Sequence, residues 1–396
     1  LQPLCLTPVT RMRLLAPVLA LGGGGVLALQ PAAFLPVGTR GSLCPRCCSP
    51  YTMSASSGAM PYRKLGSSDL SVSQVGLGTM TFGLQTGEEE SLRLLSVAAE
   101  EYGVNFFDTS ELYPYPSEPA TAGASDRILG KWLKGRDRSQ VVIASKVCGP
   151  SNFITWLRSG GKPTALTGEQ MLESVDESLR RLGTDYIDLL QVAWPGRYTG
   201  DIGEDCYDES KAEEDPFDCE SQLMGLQELI DSGKVRHIGL CEETTFGLLQ
   251  ACEHADWDDL PKVVSVQNTY NLLERSKVEL SLIEASSREN VGIIARSPLA
   301  GGALTGKYLG QTDVSLDRNA RLNAFPGFQG RYLNEISIEA VAQYQGLASR
   351  FDLSPAQLAM AFVHSRPHIA STLTGATSEV QLRENLDTVA MNIFDK

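Results

Sequence analysis

Residues 184–197 read TDYIDLLQVAWPGR. From Tyr186 to Val192 the stretch is an apolar run interrupted only by Asp188 and Gln191, and it closes on Trp194-Pro195. A run of this kind is a strand buried on both faces, as parallel sheets require. Buried parallel strands often carry chemistry where they end, yet this one ends in Ala193, which has none.

The pattern recurs along the chain. Short apolar strands are expected at 75–80, 105–110, 141–146, 186–194, 235–241, 263–268, 291–297 and 371–377. Amphipathic helices are expected between them, at Glu88–Tyr102, Asp126–Lys134, Gly168–Leu182, Gln222–Ser232, Thr245–His254, Lys277–Asn290 and Ser337–Arg350, with SPAQLAMAFVHS after the last. Upstream, YRKLG and LSVSQ flank Ser67-Ser68-Asp69 as a hairpin. Eight strand–helix alternations imply right-handed crossovers and a parallel sheet. Eight is also the number that closes a barrel, so the expected fold is α/β, a (β/α)8 TIM barrel with an N-terminal β-hairpin. An open doubly wound sheet would need a Gly-rich turn leading straight into a helix. GLGTMTFG at 76–83 has the glycines, but no helix follows at once.

Composition limits the partners. All 48 acidic residues lie from Asp69 onward, and four of the 34 basic residues (Arg11, Arg13, Arg40, Arg46) precede residue 63. Thirty bases against 48 acids leave the body at −18, which argues against a nucleic-acid partner. A phosphorylated cofactor is still compatible, because a few local bases suffice. Of nine cysteines, Cys5, Cys44, Cys47 and Cys48 sit before residue 60. The other five are scattered and make no disulfide framework. A Cys206–Cys219 pair is at most weakly supported. CPRCC at 44–48 has no second pair to complete a metal site, and none is expected.

Residues 1–60 are read as a targeting presequence, and 61–396 as the functional domain. Arg11 and Arg13 precede a broken apolar run, LLAPVLALGGGGVLAL, which suits a signal h-region better than a membrane span. The following QPAAFLPVGTRGS is basic and acid-free. The combination resembles the two-part plastid presequence of algae with complex plastids, with Phe34 after the signal cleavage; a mitochondrial presequence is the alternative. No membrane contact is expected of the mature form.

Strand ends carry the candidate chemistry. FFDTSELYP places Asp108 and Tyr113 after apolar residues, and IASKV ends on Lys146. A lysine at a barrel mouth needs a partner to stay charged when buried, and Asp108 could supply one. A charged Lys146 near Tyr113 would lower the phenol's pKa and make it a proton donor for neutral pH. The same residues read equally well as a buried ion pair with Tyr113 as packing. Gln267 and Asn268 end another strand, Ser297 opens a Gly-rich loop reaching Lys307, and TGATSEVQLREN opens a helix whose N-terminus suits an anion.

Over residues 61–388 these stretches, with GKVRHIGL, VQNTYNLLERS, SPLAGGALTGKY and RLNAFPGFQGRY, resemble the aldo-keto reductase superfamily, closest to its Tas-like branch. The resemblance implies NADPH and reduction of an aldehyde or ketone carbonyl in a small molecule. Asp108, Tyr113 and Lys146 match the catalytic Asp, Tyr and Lys. Ser297, Leu299, Gly301 and Lys307 match the pyrophosphate loop, and Arg321 is placed to reach the 2′-phosphate. Thr377, Gln381, Glu384 and Asn385 match the adenosine-binding helix, and Gln267 the nicotinamide contact.

Three positions depart from the pattern. The family's catalytic His is Ala193, its Ser-Asn pair for the carboxamide is Cys241-Glu242, and its aromatic stacking residue is Arg296. Glu242 can accept from the carboxamide but not donate to it. Arg296 can stack, yet its charge opposes an oxidised ring. An Arg296–Glu242 ion pair across the mouth is the expected compensation. None of the four histidines can be assigned to replace the missing one. Residues 201–220 carry ten acids and one base, Lys211; they would disfavour anionic substrates at the mouth, or simply form a solvated insertion. The chain ends at Lys396, so the segment that often closes the family's substrate pocket is expected to be short. Two functions follow: a working reductase, impaired or shifted in scope by Ala193, or a weak or inactive nucleotide-binding sensor or scaffold on the same barrel.

Overall fold

The computed structural model describes residues 59–199, 207–212, 218–310, 319–325 and 329–391. The presequence expectation for residues 1–60, with its plastid or mitochondrial destination, falls almost wholly outside them, as do Cys206 and much of the acidic segment 201–220. Strands β1 (Tyr62–Lys64) and β2 (Ser71–Ser73) form an antiparallel hairpin. Strands β3 (Val75–Gly78), β4 (Phe106–Asp108), β5 (Val142–Val147), β6 (Ile187–Val192), β7 (Val235–Cys241), β8 (Val263–Thr269), β9 (Gly292–Arg296) and β10 (Ile369–Thr374) close a parallel barrel in chain order, with β10 hydrogen-bonded to both β9 and β3. This is the expected (β/α)8 barrel with its N-terminal hairpin.

The barrel is filled in layers because alternate residues of each strand point inward. Phe106, Val142, Ala144, Leu189, Val264 and Ile294 form one buried cluster with Leu65, Leu70 and Val72 of the hairpin segment. The hairpin therefore stoppers the N-terminal end. Its turn presses so close that a Cβ on Gly66, at φ +55°, would lie 2.2 Å from the Val264 carbonyl oxygen. Two residues further along β4, β5 and β6 the inward side chains turn polar, at Asp108, Lys146 and Gln191, and on β8, whose register against β7 shifts between Val263 and Ser265, Gln267 joins them. On β4 to β6 the chemistry of the mouth is thus set by strand parity.

The helices pack outside. Helix Gly168–Leu182 shows why: Met171, Val175, Leu179 and Leu182 recur every three or four residues and are buried. Thr167 caps its start by accepting from the Gln170 N–H, and Gly183, at φ +65°, ends it. The predicted helix Glu88–Tyr102 is α-helical only through Ser96, with a single wide π turn at Val97–Glu101. No helix among the described residues is long and apolar enough to cross a membrane. Cys148, Cys219, Cys241 and Cys252 carry free thiols, so the weakly supported Cys206–Cys219 pair is not seen at Cys219.

Candidate active site

Asp108 is the last residue of β4 and is 3% exposed. Its Oδ1 takes a hydrogen bond from Lys146 Nζ. Its Oδ2 accepts from Gln267 Nε2 at 2.8 Å and Gln191 Nε2 at 3.2 Å. Lys146 also donates to the Thr109 carbonyl at 3.1 Å. Gln191 faces Lys146 in register on one side and Gly239 on the other. A side chain at Gly239 would leave only 3.3 Å between its Cβ and Gln191 Cγ, and 2.4 Å to Ser265 Oγ, so glycine is needed for the cluster to fit. Sequence reading had given Gln191 no role. Its signal was a polar residue on the inward face at a strand's carboxyl end.

Burial disfavours the charged form of Lys146. The Asp108 carboxylate, with Tyr113 and Cys241 nearby, more than reverses this and holds the ammonium above the ordinary lysine range. Lys146 Nζ lies 5.0 Å from the centre of the Tyr113 ring. The expectation that it would lower the phenol's pKa needs correction. Lys146 and Arg296 do pull it down, but burial outweighs them, with Asp108 and Cys241 adding to the rise. Tyr113 therefore stays protonated at neutral pH.

A cavity of about 510 Å³ opens from this cluster. Asp108, Tyr113, Gln267 and Arg296 line one part of it. Ser297, Leu299, Gly301, Lys307, Arg321, Thr377, Gln381, Glu384 and Asn385 line the rest, so every expected cofactor residue borders one space. Lys146 does not line it and sits behind it, against Asp108 and Tyr113. Gly301 (φ +65°) and Gly302 (φ +93°) have left-handed backbones that side chains resist. A Cβ on Gly301 would lie 2.7 Å from Gln329 Oε1, and one on Gly302 2.6 Å from Lys307 Cε. That loop presents bare backbone to the cavity. Arg321 Nη1 donates to Gln85 Oε1 at 2.8 Å. Thr377 donates to Gln381 Oε1, Glu384 accepts from Ser354 Oγ at 2.6 Å, and Asn385 donates to Thr374 Oγ1 at 2.9 Å.

Residues 74–396 match the model of the aldo/keto reductase family. The chain belongs to the aldo/keto reductase family. It is 40% identical to Protein tas of Escherichia coli (strain K12) over 341 residues, covering 85% of this chain and 95% of that one, which places it in the Tas-like branch. It is 42% identical to an aldo-keto reductase of Babesia bovis over 257 residues, 63% of this chain and 89% of the relative. A probable voltage-gated potassium channel subunit beta of Oryza sativa subsp. japonica is 31% identical over 330 residues, 83% and 90% of the two chains.

The departures from the family's pattern sit together at the mouth. Ala193 follows β6 directly and donates its N–H to the Val147 carbonyl at 2.8 Å. None of the four histidines stands in for the missing one. His237 pairs with Asp69 on the hairpin loop, His254 with Asp258 on an outer helix, His364 with Thr388, and His368 packs on Tyr270. The Arg296–Glu242 ion pair anticipated from sequence is formed, with Nε to Oε1 at 2.5 Å. Burial opposes both charges, but their mutual attraction wins, so Glu242 is held below and Arg296 above the usual range. Glu242 takes a left-handed φ of +55°, which ordinary side chains avoid. Cys241 is pushed up to about 12 by burial and remains a neutral thiol, 3.7 Å from Gln267 Oε1.

Another buried ion pair braces the loop after β5. Arg158 donates twice to Glu111, at 2.6 and 2.9 Å, and Glu111 also accepts from the Cys148 N–H at 2.7 Å. It ties the segment carrying Tyr113 to the neighbouring strand end. Nothing in the sequence had marked it.

Proposed function

We propose that the chain is an NADPH-dependent oxidoreductase that reduces the carbonyl of a small aldehyde or ketone to an alcohol. The observation that carries this reading is one cavity bordered at one end by Asp108 and Tyr113 and elsewhere by the glycine cradle, Lys307 and Arg321. The bare backbone at Gly301 and Gly302 fits a diphosphate, and the two bases support a phosphorylated ribose over an unphosphorylated one. Ser297, Leu299, Gly301 and Lys307 would hold the pyrophosphate, Arg321 the 2′-phosphate, and Thr377, Gln381, Glu384 and Asn385 the adenosine. Gln267 would border the nicotinamide.

When bound, NADPH supplies a hydride to the carbonyl carbon. The chain's own part is the proton. Tyr113 keeps its hydrogen at neutral pH and gives it to the carbonyl oxygen as negative charge develops there. Lys146, kept charged by Asp108, then stabilises the phenolate until solvent reprotonates it. Gln191 and Gln267 hold Asp108 in place. Ala193 itself has no side-chain donor, so turnover should be lower than a His at that position would give. The acid-free leader supports import into an organelle, a plastid before a mitochondrion.

The test is a nicotinamide-fluorescence titration with NADPH, paired with NADPH oxidation across a panel of aldehydes and quinones. Saturable binding with turnover on at least one carbonyl is expected. Absence of binding, with no NADPH-dependent rise in melting temperature, overturns the reading.

A further inference from the structure

The Arg296–Glu242 pair has a direction. Arg296 borders the 510 Å³ cavity, together with Tyr113 and Asp108, and Glu242 does not. Glu242 instead borders a second cavity of about 440 Å³, lined by Trp194, Arg197, Asn268 and Lys277 among others. The pair is thus a partition between two spaces. It turns its guanidinium toward the first and its carboxylate toward the second. Within the first space the other mouth charges cancel locally, because Asp108 and Lys146 are bonded to each other. The Arg296–Glu242 pair is also neutral as a whole, but its cationic end is the one that faces into this space.

The chemistry of reduction fixes what that charge acts on. A ring that delivers hydride has to lie against the carbonyl that Tyr113 protonates. It is therefore in the same end of the cavity as Arg296. In the reduced state that ring is neutral, and in the oxidised state it is a cation. We propose that Arg296 makes this site select the charge state of the ring, binding the reduced nucleotide more tightly than the oxidised one. Glu242 tempers the preference from the far side of the partition. The inference rests on the reading of the cavity as a nicotinamide nucleotide site.

Both members of the pair are ionised at neutral pH, so the preference operates under ordinary conditions. Arg296 also acts on Tyr113, drawing its pKa down, which places the phenol within the reach of its field. A guanidinium at the edge of the same space, screened by its Glu242 partner, gives on the order of a tenfold preference. The consequence is a site that fills with NADPH in a mixed nucleotide pool and lets NADP+ go quickly.

The experiment measures dissociation constants of the full chain for NADPH and NADP+ separately, by fluorescence titration and by calorimetry, with no substrate present. In the wild type the NADP+ constant should exceed the NADPH constant by about tenfold. Arg296→Gln should cut that ratio by about fivefold or more, Arg296→Lys should keep most of it, and Glu242→Gln should raise it. Equal binding of the two nucleotides by the wild type, or a ratio unmoved in Arg296→Gln, overturns the inference and leaves the nucleotide site standing. If Arg296→Gln does not fold, Glu242→Gln decides: a lowered or unchanged ratio overturns the inference. Binding of neither nucleotide overturns it together with the reading beneath it.

Discussion

Replacing Lys146 by Met puts the buried centre of the site to a quantitative test. The side chains of Lys146 and Asp108 are each 4% exposed and pair with one another. Removing the ammonium strands the carboxylate with two neutral amide donors, Gln267 and Gln191. Leaving one member of a buried pair unmatched costs about 3–5 kcal/mol. For the 310 described residues the unfolding entropy is about 0.65 kcal/mol per degree, so the melting temperature should fall by about 5–8 °C. The stranded carboxylate can relieve this by taking up a proton. A proton bound only by the folded state stabilises it as pH falls, so the loss should be largest near pH ~8 and shrink toward pH ~5. Adding Asp108→Asn should recover much of the loss, because no uncompensated charge then remains. Thermal unfolding of the wild type, the single variant and the double variant at both pH values measures this. A single variant that melts within about 1 °C of wild type at both pH values would refute the buried-pair reasoning.

Three other predictions follow from particular contacts. Gly301→Val puts a Cβ against Gln329 and Leu322 at a left-handed backbone, and should weaken NADPH binding by about tenfold or more in a fluorescence titration. His364 is buried against Thr388 and its pKa is lowered to about 4 by burial. The unfolded chain takes up this proton below about pH 6.5 and the folded chain does not, so stability is full above that pH and drains as pH falls toward 4. His364→Gln should flatten the decline by on the order of 3 kcal/mol, read from denaturant melts across that window. Ala193→His should raise carbonyl turnover by about 10²-fold if the rest of the site is intact; no gain would mean that Glu242 and Arg296 have already changed what the site does.

The barrel was legible because each strand is a short apolar run bounded by a change of period. The strand expected at 105–110 is Phe106–Asp108, and the one at 235–241 matches residue for residue. The last strand was expected at 371–377 and lies at Ile369–Thr374, because Gly375, Ala376 and Thr377 already turn toward the next helix. Helix starts were missed where the cap is a polar residue inside a polar stretch. Asp218 caps Cys219–Asp231 three residues before the expected start, and Asn334 caps Glu335–Ser349. At the mouth, Asp108, Tyr113 and Lys146 stood out as polar residues closing apolar strands. Gln191 and the Glu111–Arg158 pair did not, because their roles depend on partners 83 and 47 residues away in sequence. The raised pKa of Tyr113 was hidden for the same reason. Proximity to Lys146 can be guessed along a chain, but the burial that outweighs it needs the packed barrel.

The most direct measurement of the central claim compares wild type with Tyr113→Phe, each titrated with NADPH and then assayed for NADPH oxidation on the best carbonyl of the panel. NADPH binding should be kept within about threefold while turnover falls by about 10²-fold or more, because the variant lacks only the proton. Undiminished turnover in Tyr113→Phe would contradict that claim.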